Sequence, residues 1–326
     1  EIITSDWSSD VCSSDLPSLP ATGSGLPLMD VEDARLKRHA PWLMALLTLI
    51  WGTNWPVIAL AVREVSAWTF RALTLPVAGI LLLLLAHRRK LPLAIPRQHW
   101  PMLLCSAWAF LALWNVATTL ALTYIPSGQA ALLGFTMPLW AALWSWLLFG
   151  HTLDGRQWLA LLLGTAGVIV LMIPAFASYA HAPLGLVYGL ASGAGWALST
   201  VLLKHRPIPV PTTVLTGWQL LLASVPVIIG AWLLGDHQWF MPSASSLAAF
   251  TYITLVPMLF GNLLWFSLIQ WLPPQLVSLS PIMIPMVAMV SGAIVLNEPL
   301  GWQQWLAMLL SASGLGLMLF RRSDRS

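Results

Sequence analysis

LFGHTLDGRQWLALLLGTAGVIVLM, residues 148–172, aligns without a gap on VLNEPLGWQQWLAMLLSASGLGLML, residues 295–319. Eight positions are identical, among them Gln157/Gln304, Trp158/Trp305, Ala160/Ala307 and Gly167/Gly314. A leucine-rich background alone gives roughly two or three such matches. The same offset of 147 residues pairs Asn115 with Asn262, Pro126 with Pro273 and Pro138 with Pro285, all outside the stretch that reveals it. Trp51 pairs with Trp196 after a shift of two. The chain therefore reads as two copies of one unit.

What that unit consists of follows from composition. The 326 residues are 58% hydrophobic and only 8% charged, which leaves too little charge to cover a water-facing domain. Ten apolar stretches lie near 41–62, 66–86, 101–122, 127–149, 157–174, 183–203, 213–234, 246–270, 274–296 and 302–320. Each has the ~20 residues a helix needs to cross a ~30 Å hydrocarbon core. The expected fold is an all-α polytopic membrane protein of ten transmembrane helices, with a first repeat over 41–174 and a second over 183–320. Five crossings per repeat send the second copy in from the opposite face, so the repeats are expected to be inverted. Secondary transporters share that symmetry, with their substrate site near the midplane between the halves.

Basic residues favour the cytoplasmic side. Thirteen of the fifteen lysines and arginines, from Arg35 and Lys37 through Arg88, Arg89, Lys90, Arg156, Lys204 and Arg206 to Arg325, fall on one side of this ten-span arrangement. Arg63 falls on the other and Arg71 within a helix. Both termini are accordingly expected in the cytoplasm, and the net charge of +3 reports topology rather than nucleic-acid binding.

SDWSSDVCSSDL, ahead of the first apolar stretch, lacks the apolar core of a signal peptide. About Asp6 to Leu16 resembles the translation of a common sequencing-library adapter, so residues 1–28 are read as artefactual or disordered, with a true start at or near Met29. Setting Cys12 aside leaves Cys105 without a cysteine partner, and no disulfide framework is expected.

WGTNWPVIALAV (51–62), the arginine of AWTFRALTL (67–75), LNEPLGWQQWLAMLLSASG (296–314) and the five-plus-five repeat resemble the EamA branch of the drug/metabolite transporter superfamily. The resemblance covers about residues 41–320. It implies a multi-pass transporter of the bacterial cytoplasmic membrane, with export more expected than import, and says less about the substrate. The family often carries an acidic residue at the end of helix 4, where this chain has His151; Glu298 keeps it in the second half.

Polar groups inside the membrane are costly unless they serve a site or a contact. Arg71 lies about five residues into helix 2, roughly 8 Å along the axis, and either belongs to the substrate site or gate, or snorkels to headgroups or caps a neighbour. Asn115 and Asn262 either line a central cavity or join helices by hydrogen bonds. Trp51, Asn54 and Trp55 share a face of helix 1, beside the close-approach notch of Gly52, and either line the cavity or pack within the bundle. Trp114, Trp196, Trp218 and Trp265 lie deeper than the tryptophans expected in interfacial belts, and offer flat walls to a substrate or packing against lipid. Pro138 and Pro285 are candidate hinges or static bends. Glu298 reads first as the turn into helix 10.

The seven histidines fall in loops or at helix ends, so no intramembrane metal site is expected, and no phosphate-binding loop or other cofactor motif is found. From the first apolar stretch to the C-terminal tail the only acids are Glu64, Asp154, Asp236 and Glu298, and none is mid-helix. An intramembrane enzyme lacks its catalytic constellation, and bulky cations lack a buried acid. The expected function is secondary transport of a small neutral, zwitterionic or anionic metabolite, an amino acid or related compound first, by a chain able to work as a monomer in the bilayer. A non-transporting membrane sensor or scaffold is the alternative.

Overall fold

The computed structural model describes residues 27–150, 152–178, 182–235, 243–271 and 280–319; the adapter-like stretch, His151, Asp236 and Pro273 lie outside them. Among the described residues every regular element is helical. Helix α1 spans Pro27–Ala61 and α2 Ala67–Arg88. Next come α3 (Trp100–Ser106), a π-helical segment Ala107–Ala112, α4 (Leu113–Tyr124), α5 (Ser127–Gly134), α6 (Met137–Phe149) and α7 (Gly155–Ser178). The second half contains α8 (Ala182–His205), α9 (Thr212–Leu234), α10 (Ala244–Ile253), a second π segment Thr254–Gly261, α11 (Asn262–Trp271), α12 (Ser280–Leu296) and α13 (Trp302–Leu319).

Seven of these helical runs are long and apolar enough to cross a membrane: Pro41–Ala61, Ala67–Arg88, Arg97–Tyr124, Ser127–Phe149, Pro183–His205, Thr212–Leu234 and Ala244–Trp265. Gly155–Val170 and Met283–Leu296 are shorter apolar helices. Large apolar side chains such as Leu162, Trp232 and Ile294 are exposed, as lipid rather than water requires.

Three of the stretches read as continuous helices are interrupted. The π segments begin at Ala107 and Thr254, 147 residues apart. In the second, Pro257 lacks the amide hydrogen that a regular helix would use there. In the first, Gly195 of α8 presses on the bulge, where an added Cβ would meet the carbonyl of Ala109 at 2.5 Å. The third interruption, at Phe135 and Thr136, separates α5 from α6, with Pro138 in the first turn of α6.

The duplicated motif explains how the two halves meet. A Cβ on Gly167 would come within 3.0 Å of the Ala307 carbonyl, and one on Gly314 within 2.8 Å of the Ala160 carbonyl. Since Gly167 is equivalent to Gly314 and Ala160 to Ala307, the contact is reciprocal, and α7 and α13 run antiparallel with their backbones close. Gln157 and Gln304 are alike in accepting the backbone N–H three residues earlier, from Asp154 at 3.0 Å and Gly301 at 2.9 Å, which closes the first turn of each helix. The residues ending the preceding helices, Gly150 and Asn297, share left-handed backbone with φ of 68° and 55°.

Candidate functional site

The interrupted helices bring three of the candidate residues, Trp55, Trp114 and Trp196, into one aromatic cluster. Trp55 of α1 is buried against Trp114 of α4, with ring centroids 6.1 Å apart and the rings edge to face. Trp114 meets Trp196 of α8 edge to face at 4.4 Å. Phe135, at the break between α5 and α6, lies 6.2 Å from both Trp55 and Trp114 and 6.5 Å from Trp196. Four rings from both halves thus surround the broken helix, and Gly134 leaves room for them: a Cβ there would meet Trp114 and Trp55 at 3.2 Å. Edge-to-face contacts suit the ring quadrupoles. Trp114 and Trp196 keep partial exposure, while Trp55 and Phe135 back them.

A second aromatic pair lies one turn along α1. Trp51 packs on Trp265 of α11 at 5.5 Å, and its Nε1 donates to the Pro257 carbonyl in the second π segment at 3.3 Å. The ring fits because position 261 is glycine; a Cβ there would meet Trp51 Nε1 at 2.5 Å. Its equivalent in the first half is Trp114, which instead receives Trp196.

Asn54 lies between these pairs in sequence, partly exposed, and its Oδ1 is shielded from solvent with no hydrogen-bond partner. The other amides are engaged. Asn115 Nδ2 donates to the Leu111 carbonyl at 2.7 Å and Asn262 Nδ2 to the Met258 carbonyl at 2.6 Å. Each supplies a donor to a carbonyl in its own π segment, where the regular ladder is disturbed. Among the described residues neither amide makes a hydrogen bond to another helix.

Arg71 is buried between α2 and α4. Its Nε–H is shared by the Asn115 carbonyl at 3.1 Å and Thr119 Oγ1 at 2.6 Å, and its guanidinium carbon lies 5.4 Å from the Phe70 ring centre. Among the described residues no carboxylate is paired with it. A cation so placed adds positive potential to the first-half bulge.

Trp218 lies apart from this group. It packs on Trp100 at 6.1 Å and its Nε1 donates to the Leu93 carbonyl at 2.9 Å, at the end of the bundle that carries the basic loops. That placement suits an interfacial tryptophan. Pro138 follows the α5–α6 break, whereas Pro285 is inside α12.

The sequence reading omitted Phe135 and Thr119. GFTMP, residues 134–138, contains the glycine and proline that mark a break, and Thr119 is one helical turn beyond Asn115. It also gave Glu298 only a local role. Glu298 accepts from Ser127 N at 2.7 Å, Ser127 Oγ at 2.8 Å and Gly128 N at 3.3 Å, which caps α5 of the other half.

A duplicated, lipid-facing helical bundle whose broken helices converge on an aromatic cluster defines a membrane transporter in which the two halves share one central region. The chain belongs to the EamA-like transporter family, which matches residues 40–173 and 183–320. It is 28% identical over 285 residues to the uncharacterized transporter YvbV of Bacillus subtilis (strain 168), covering 86% of this chain and 92% of that one. It is 28% identical over 280 residues to the uncharacterized inner membrane transporter YedA of Escherichia coli (strain K12), covering 84% and 89%. A probable amino-acid metabolite efflux pump of the same E. coli strain is 22% identical over 288 residues, covering 85% and 94%. A crystal structure of a protein 21% identical superposes with a TM-score of 0.60 over 86% of this chain and 96% of that one, which shows the shared fold. The chain is thus a multi-pass membrane transporter of the drug/metabolite type.

Proposed function

We propose that the chain is a secondary transporter of the bacterial cytoplasmic membrane that moves a small metabolite by alternating access. In this reading ten helices cross the bilayer as two inverted five-helix repeats, both termini are cytoplasmic, and the direction is export. The antiparallel, reciprocal contact of α7 with α13 supports inversion. Amino acids or related compounds are the first substrates to consider, a reading supported by the similarity to the probable amino-acid metabolite efflux pump of E. coli.

The observation that carries the site is the partnerless Oδ1 of Asn54, on the face of α1 that carries Trp51 and Trp55, the latter packed in the aromatic cluster. A sheltered amide oxygen without a donor costs about 1–3 kcal/mol, and a substrate N–H or O–H would satisfy it. Trp51, Trp55, Trp114, Trp196 and Trp265 provide apolar walls. Arg71 favours a carboxylate-bearing or zwitterionic solute over a simple cation. Asn115 and Asn262 shape the π segments beside the site, and Pro138 and Pro285 mark where the halves bend.

The test is uptake of labelled amino acids and small organic anions into proteoliposomes, comparing the parent with Asn54→Leu. Saturable uptake by the parent and at least a tenfold loss of kcat/KM in the variant are expected. Equal parameters in the two proteins would remove Asn54 from the site.

A further inference from the structure

Two carboxylates tie the halves together at one end of the bundle. Glu298, in the turn between α12 and α13, accepts two backbone N–H groups and one hydroxyl from Ser127 and Gly128 at the start of α5. Glu64, between α1 and α2, accepts the hydroxyls of Ser243, Ser245 and Ser246 at the start of α10, Ser243 at 2.6 Å and Ser245 at 3.4 Å. Each bond joins a first-half element to a second-half one. Both belong to the end where Val65, Ile125, Tyr124 and Leu296 share one apolar cluster.

The opposite end of the bundle carries Asp154, which accepts from Gln157 N of its own helix at 2.7 Å. The position equivalent to Glu298 holds His151. Glu298 thus makes its inter-half tie from a position where the first repeat has no carboxylate.

Resting on the transporter reading above, we infer that Glu298 is a gate residue: its carboxylate holds α5 to the α12–α13 turn while this face is closed, and must release Ser127 and Gly128 for the face to open. Three features support the assignment. The contact is long-range and made entirely of donors to a charged acceptor, each stronger than a neutral bond. It fastens the N-terminus of α5, the half-helix that ends at the aromatic cluster beside Gly134 and Phe135. Its donors are neutral and belong to one helix end, so release leaves no buried countercharge. Position 292 must be glycine for the carboxylate to fit, because a Cβ there would overlap Glu298 Oε2. Glu64 makes a second tie at this face.

The experiment reads access to the centre without needing a substrate. Cys12 and Cys105 are replaced by serine, Asn54→Cys reports from the face of α1 that carries Trp51 and Trp55, and a membrane-impermeant maleimide is applied to spheroplasts and to inverted membrane vesicles. Glu298→Gln should raise the labelling rate from the Glu298 face at least threefold and lower it from the opposite face. Ser127→Pro serves as an independent variant. It removes the N–H and hydroxyl donors at a first-turn position that proline tolerates, and Pro126 already has the extended ψ of 148° that a following proline requires. It should shift labelling in the same direction. Unchanged rates from both faces in both variants would overturn the gate assignment. Loss of uptake by the parent would instead bear on the transporter reading, since the labelling assay is independent of it.

Discussion

Asn115 and Asn262, 147 residues apart, make the same hydrogen bond: each Nδ2 donates to the carbonyl four residues back, at 2.7 and 2.6 Å, within a π segment. A duplicated sequence has kept both the helical defect and the side chain that satisfies it. Because a π turn leaves carbonyls that lipid cannot satisfy, replacing either amide exposes the cost directly. Asn115→Leu and Asn262→Leu are each expected to lower stability by about 1–2 kcal/mol, read as an earlier midpoint of thermal unfolding in detergent. A midpoint unchanged in both would mean that these bonds add nothing.

Arg71 ties α2 to α4 through a single shared Nε–H. Arg71→Lys keeps the charge but has no Nε–H in the guanidinium plane. The lysine variant is therefore expected to transport at under a tenth of the parental kcat/KM, as is Arg71→Ala. Full activity in the lysine variant would show that charge alone suffices.

Trp114 and Trp218 are both deep in their apolar stretches by sequence, yet occupy different surroundings. Trp114→Ala removes the ring that joins Trp55, Phe135 and Trp196, and is expected to cost about 3 kcal/mol or more in stability along with transport. Trp218→Phe keeps the apolar contact with Trp100 and loses only the bond to Leu93, so its kcat/KM should stay within about threefold. Parallel losses of transport in the two variants would remove the distinction.

Glu64 has a pH signature. Hydrogen bonds from Ser243 and then Ser246 hold its carboxyl below its ordinary value of 4.5. A lowered folded-state value means that the stabilisation is present above the unfolded-state value and is lost as pH falls through the folded one. Glu64→Gln should therefore unfold with a shallower dependence on pH below about 5, while the parent loses stability more steeply there. Identical acid profiles would exclude the contribution.

Much of this architecture is legible in the residues. The Gln-Trp-Leu-Ala motif repeats because it caps a helix and packs against its own copy, and Gly167 and Gly314 remain small because a carbonyl faces each. Other features depend on contacts that no local pattern carries. Glu298 looks like a turn residue until α5 is brought beside it from 171 positions away. Trp218 is seven residues into α9 and reads as deep, but the 89–96 loop folds back to give its indole a carbonyl. The π segments hide in sequence because stretches so rich in apolar residues barely register a change of helical period.

The most direct test of alternating access is counterflow. Proteoliposomes are preloaded with an unlabelled substrate found in the uptake panel, diluted into trace labelled substrate, and followed in time. Alternating access predicts a transient accumulation of label above equilibrium that requires preloading and is lost in Trp114→Ala. Label that only rises to equilibrium, at a rate indifferent to preloading, would contradict it and point to a pore.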